Sequence, residues 1–269
     1  MVKKSQITPQ KITTHKPSVC IVGCLHGDEI IGKKVIEALG KLEIKKGNIL
    51  TIIANPQALL HKKRYIDQDL NRSFPGDVNG NAEQKIASRL LNIIKGYDLV
   101  VDIHATNSNI DNLAIITKLN KGTKAALKFL PIQKIAIVKQ KVFGGHELIS
   151  HCRVGISLEY GPDKSGHNYK LALQHVIKLL IGLGMVAGTK KYYRNKILYT
   201  VSGRYTVDKK FQQNATLNDF KLIKKGQIIG HMQKNIIKSD KTFYPLFLGK
   251  GHYEETLALV AKEKKSLIL

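Results

Sequence analysis

The chain has 269 residues, 43% hydrophobic and 24% charged, which supplies a full core and excludes a disordered or fibrous protein. Its net charge is +24, yet only six of the 44 basic residues are arginine, and aromatic residues make up 6%. Specific nucleic-acid recognition leans on the arginine fork and on stacking rings, so the lysines read as a solvated surface and no specific nucleic-acid partner is expected.

No stretch approaches the ~20 apolar residues that span a bilayer, so no membrane association is expected. The lead Met1–Lys16 is polar and basic, without the apolar centre of a secretory signal. Three cysteines (20, 24, 152) are too few for a disulfide framework and fit a reducing, cytoplasmic compartment. Cys20 and Cys24 read as core.

Val19–Val22 is an apolar strand that breaks at Gly23, and Glu29–Gly40 follows as a helix. Asn48–Ala54 is a second buried strand, closed by Asn55-Pro56. A long polar excursion, Gln57–Asn81, precedes a helix from Ala82 to Lys95. Tyr97–His104 is a third strand, apolar through its middle as a central parallel strand should be. Leu113–Lys118, Lys134–Val142 and Arg153–Tyr160 are further β-like runs, and Asn168–Gly182 is an amphipathic helix. This alternation predicts an α/β domain over residues 1–188 with a largely parallel sheet. From Thr189 the strands shorten and alternate (Ile197–Val207, Gln227–Met232, Phe243–Leu248), so residues 189–269 read as a smaller β-rich domain. Glu254–Leu269 reads as a terminal helix.

Ligands of parallel sheets collect at the carboxyl ends of the strands. His26, the Asn55 excursion, His104 and Glu159 each follow an apolar strand run immediately. His26 and Glu29, spaced i, i+3 with Gly27 between them, suit two ligands of one divalent metal, and His104 is the natural third. Asp102 is either an orienter of His104 or simply polar. Glu159, buried beside a metal, suits the base that activates water. In the excursion, Asn71 and Arg72 suit the grip of a carboxylate, and Arg64 suits an oxyanion.

These residues together resemble the aspartoacylase and succinylglutamate desuccinylase family, a branch of the zinc carboxypeptidase-like fold. The resemblance lies in Gly-x-x-His26-Gly-Asp-Glu29, Asn55-Pro, Arg64-Tyr-Ile-Asp-x-Asp-Leu-Asn71-Arg72-x-Phe, Asp102-x-His104 and Gly155-Ile-x-x-Glu159-x-Gly-Pro162. Near the end, Phe243-Tyr-Pro-Leu-Phe and His252-Tyr253-Glu254 are similar to the family's final segment. The resemblance implies one zinc ion per chain on His26, Glu29 and His104, with Glu159 as general base and later acid. It further implies Arg64 at the oxyanion, Asn71 and Arg72 on the carboxylate of a small-molecule substrate, and Tyr253 (or His252) closing from a β-rich cap. The implied reaction is hydrolysis of an amide to a carboxylate and an amine.

Two departures bear on the substrate. Family members acting on acidic N-acyl amino acids carry a further arginine a little upstream of the base. Here Phe143-Gly-Gly-His146-Glu-Leu-Ile-Ser-His151-Cys stands there, and no arginine occurs before Arg153. After Tyr253 come Glu254 and Glu255, where relatives can place lysine. Both changes point to a less acidic N-acyl amino acid or small amide, with His146 and His151 either lining that pocket or exposed. A carboxypeptidase acting on short peptides would use the same residues. A basic nucleic-acid-binding protein with a degenerate site would instead show salt-sensitive affinity and no metal. The sequence leaves room for a homo-oligomer.

Overall fold

The computed structural model describes residues 7–10, 17–162, 166–249 and 255–269. Its strands are β1 (Ile7–Gln10), β2 (Ser18–Gly23), β3 (Asn48–Ile53), β4 (Leu99–Ala105), β5 (Asn112–Ile116), β6 (Lys134–Val138), β7 (Gly155–Tyr160) and β8 (Asn195–Thr206). β9 (Phe211–Gln213), β10 (Ile228–Met232), β11 (Asn235–Lys238), β12 (Tyr244–Leu246) and β13 (Thr256–Ile268) follow. Helices are α1 (Ile31–Leu39), α2 (Pro56–Leu60), α3 (Ala82–Ile94), α4 (Lys121–Leu127) and α5 (His167–Gly182).

Ten strands form one sheet in the order β1-β3-β2-β4-β7-β5-β6-β8-β13-β12, and β11-β10-β9 form a small antiparallel sheet. The centre β3-β2-β4-β7 is parallel throughout. Its apolar strands are buried on both faces, as their near-continuous hydrophobic runs require. Val19 and Ile21 pack with α1 and α5, whereas Cys20 and Val22 pack with α3 on the opposite face. That alternation within one strand is the period-two geometry of a β-strand sorting side chains between two helical layers.

β8 continues the large sheet by pairing in parallel with β6. One expectation changes here. The segment read as a terminal helix is instead the strand β13, paired with β8 from Thr256 to Ile268. Its Lys- and Glu-rich end carries good helix formers, but pairing along β8 and burial of Leu257–Ala261 override that propensity. Among the described residues, no helix is long and apolar enough to cross a membrane.

Candidate active site

The carboxyl ends of β2, β4 and β7 stand side by side. β2 stops at Gly23, and the turn that follows takes Cys24 through a left-handed conformation (φ 56°). His26 and Glu29 lie in this turn, ahead of α1, and the backbone N–H of Glu29 donates to the His26 carbonyl at 3.3 Å. Gly27 lets two backbone segments meet: its N–H donates to the Arg64 carbonyl, and a Cβ there would sit 2.0 Å from the Ala58 carbonyl carbon. β4 supplies His104, which lies opposite Glu159 of β7 in the parallel register.

His26, Glu29 and His104 form a buried group whose ligand atoms all lie within 4.8 Å of one another. Glu29 Oε1 is 2.7 Å from His26 Nδ1, and Oε2 is 2.9 Å from His104 Nδ1. The far nitrogen of each ring is held by another carboxylate, His26 Nε2 by Asp69 at 2.9 Å and His104 Nε2 by Asp102 at 3.0 Å. Both rings therefore turn Nδ1 toward the same point as Glu29, the arrangement in which outer carboxylates fix the orientation of metal-binding histidines. Two imidazoles and one carboxylate are a donor set that suits zinc and leaves coordination positions open. The residues present fit that ion.

The electrostatics of the group follow from burial opposed by neighbours. Burial pulls the imidazoles toward neutrality, but the charges of Glu29, with Asp69 beside His26 and Asp102 beside His104, raise both, His104 strongly. Burial also resists ionisation of Glu29, and the two imidazoles overcome it and hold the carboxyl well below its usual range. Glu159 shows the opposite balance. Desolvation lifts its pKa to about 7, aided by Glu29 and Asp102 and opposed by His104.

The polar excursion is an ordered loop. Arg64 donates from Nη1 to Glu29 Oε1 and from Nη2 to Asp69 Oδ2, both at 3.1 Å. Asn71 receives the Leu148 N–H on Oδ1 and places Nδ2 3.5 Å from His104 Nε2. The Arg72 guanidinium lies 3.8 Å from the centre of the Phe143 ring, with Arg204 on the same ring at 4.9 Å. Tyr253, His252 and Glu254 lie outside the described residues. His146 and His151 bond the carbonyls of Phe74 and Gly145 and do not line the cavity at the group. The cysteine thiols are buried, and desolvation pushes those of Cys20 and Cys24 up to about 12, away from thiolate chemistry.

Two residues were missed in the sequence. Asp69 joins His26, Arg64 and the Asn71 N–H at one carboxylate. Glu83, fully buried in the first turn of α3, receives Asn55 Nδ2 and the Ile66 N–H on Oε1, and the N–H groups of Asp67 and Gln68 on Oε2. It thereby pins the loop that carries Arg64 and Asp69. For Asp69 the signal was its place between Arg64 and Asn71 in the recognised block. For Glu83 there was none, since an acid in a helix's first turn ordinarily faces water.

A parallel sheet with a two-histidine, one-glutamate group at its strand ends defines a zinc carboxypeptidase-like fold. The sequence pattern of the succinylglutamate desuccinylase/aspartoacylase catalytic domain matches residues 15–163. The chain belongs to that family. The N-acyl-aromatic-L-amino acid amidohydrolase (carboxylate-forming) of Xenopus tropicalis is 25% identical over 91% of this chain and 92% of its own. Form B of the same enzyme from Danio rerio is also 25% identical, and that match spans 55% of either chain. Among solved structures, murine aminoacylase 3 is similar with a TM-score of 0.74 at 20% identity, over 94% of this chain and 98% of that one.

Proposed function

We propose that this chain is a zinc-dependent hydrolase that cleaves the amide bond of a small N-acyl amino acid. The observation that carries the reading is the buried convergence of His26, Glu29 and His104, with both far imidazole nitrogens held by carboxylates. His26, Glu29 and His104 would hold the zinc ion, which would supply polarisation of the acyl carbonyl and acidification of a water molecule.

The chain's own groups do the remaining work. Glu159, with a pKa lifted to about 7, takes a proton from the attacking water and returns it to the departing amine. Arg64, tied to Glu29 and Asp69, holds positive charge fixed beside the carbonyl oxygen as it turns anionic. Asn71 and Arg72 hold the substrate carboxylate, Arg72 being steadied against Phe143. The family resemblance assigns Tyr253 to substrate binding. Residues 189–269 act as the cap, which favours small substrates over long peptides, since Phe247, Leu248 and Leu259 line the same cavity as the metal group. The three free cysteines suit a cytoplasmic enzyme.

Metal analysis alongside a panel of N-acyl amino acids tests the reading, with wild type set against Glu159→Gln. The expected result is zinc in both proteins and a loss of turnover of about 10²–10⁴ in the variant. A variant as fast as wild type overturns the base assignment. A wild type without metal overturns the class of chemistry. Faster release from short peptides than from N-acyl amino acids would select the carboxypeptidase reading.

A further inference from the structure

The cavity beside the metal group, of about 310 Å³, has a second wall of different chemistry. Ile115, Val138, Phe143, Ile149, Phe247 and Leu259 line it from five separate parts of the chain. One further lining residue is acidic. Glu147 is 5% exposed, at the entry to a short 3-10 turn (Leu148–His151) between β6 and β7. Its Oε1 receives the Ser150 hydroxyl at 2.7 Å, and its Oε2 has no hydrogen-bond partner among the described residues. Nor does any lysine, arginine or histidine among them form an ion pair with it. Of the other carboxylates at the site, Glu29, Asp69 and Asp102 are each tied to an imidazole or a guanidinium, and Glu159 is the proposed base.

A carboxylate held in an apolar wall acts at a distance, because little water lies between it and a group in the cavity to screen it. It raises the energy of any second negative charge brought there and lowers that of a positive one. The Leu148 N–H, next in the chain, donates to Asn71 Oδ1, so Glu147 is carried on the segment that also positions the proposed carboxylate grip. A substrate carboxylate held by Asn71 and Arg72 has its charge matched. A side-chain carboxylate directed along the wall meets Glu147.

We infer that Glu147 is a charge-selecting residue, which turns away amino-acid substrates whose side chain ends in a carboxylate and admits neutral or cationic ones. The inference deepens the proposed deacylase reading and rests on it for the substrate's pose. It asks nothing of Glu147 in the chemical step.

The test compares N-acetyl-L-aspartate with its neutral isostere N-acetyl-L-asparagine as substrates. It also compares L-aspartate with L-asparagine as ligands in calorimetry, on the same proteins. Wild type should favour the asparagine member of each pair. In Glu147→Gln and Glu147→Met that preference should shrink by about tenfold or more, the order expected of one charge pair in a poorly screened site. Glu147→Asp, which keeps the charge, should retain most of it. Two neutral variants are used so that a folding failure in one leaves the other, with thermal melts as the control. Equal preference in wild type and both neutral variants overturns the inference, as does a wild type that takes aspartate as well as asparagine. Absence of binding by either amino acid also overturns it, because the wall then receives no such side chain. If nothing is hydrolysed but the binding preference still collapses in the neutral variants, the deacylase reading fails and the selecting role of Glu147 stands.

Discussion

The two walls of the cavity are built on opposite principles. On one, at the ends of β2, β4 and β7, the polar groups are cross-tied: Glu29 alone touches His26, His104, Arg64 and the Ala105 N–H. On the other, side chains from β5, β6, β13 and two connecting segments contribute apolar surface, and the acid among them, Glu147, forms no ion pair among the described residues. A cross-tied wall fixes atoms to within a fraction of an ångström, which bond-breaking chemistry demands. An apolar wall sets shape and charge preference and tolerates exchange of its residues. Divergence in substrate is therefore expected on the second wall and loss of all activity on the first.

The sharpest way to break that contrast is to remove a member of the tied wall. His26→Ala takes away one ligand and leaves Glu29 and Asp69 without their shared partner. Expected are loss of stoichiometric zinc by elemental analysis and turnover below detection on every N-acyl amino acid. Ile115→Val on the other wall should change relative substrate preference and leave zinc content as in wild type. If His26→Ala keeps its zinc, the ligand assignment fails.

Glu83→Gln comes next. It asks whether the loop's order belongs to the tied wall although Glu83 lies outside it. The amide would turn an N–H₂ toward either the Ile66 and Asn55 donors or the Asp67 and Gln68 N–H groups. Two partly buried donors left unpaired cost roughly 2–3 kcal/mol, read by urea denaturation. Arg64 and Asp69 sit on the released loop, so turnover should fall with stability. Stability unchanged within about 0.5 kcal/mol would show that the loop holds itself.

Much of this was legible beforehand, for a physical reason. A central parallel strand is apolar on both faces, so a polar residue directly after the run stands out; His26, His104 and Glu159 were found that way. Arg64, Asn71 and Arg72 stood out through their recognisable order. Glu83 was hidden because its burial depends on a loop folding over the start of α3, a contact no local pattern encodes. The strand β13 was hidden because Ala261–Leu267 reads as good helix, while its pairing with β8 is set by residues some 60 positions away in sequence. Glu147 was in view as one letter of the segment lacking an arginine, but its place on the cavity wall came only with the fold.

The smallest expected effect lies behind the tied wall, on the same strand. Glu159 and Tyr160 are neighbours on β7 and point to opposite faces; Tyr160, fully buried, has its hydroxyl 3.0 Å from Nδ1 of His175 on α5. Desolvation, with the charges of Lys178 and Lys196, pushes the His175 pKa down to about 4 from its ordinary 6.5. The unfolded chain therefore takes up a proton at this position as pH drops through 6.5, while the folded chain resists until about 4. Stability is fully present above that window and is lost as pH falls through it, by at most about 3 kcal/mol from this one group. In His175→Asn the amide oxygen can still receive the Tyr160 hydroxyl, and the group no longer titrates. The stability difference between wild type and variant should favour wild type more at pH 7 than at pH 4.5, and taking that difference cancels the carboxylates common to both. A difference that stays constant between those two pH values would mean that His175 titrates alike in the folded and unfolded chain, and that this face of β7 contributes nothing to the acid sensitivity of the fold.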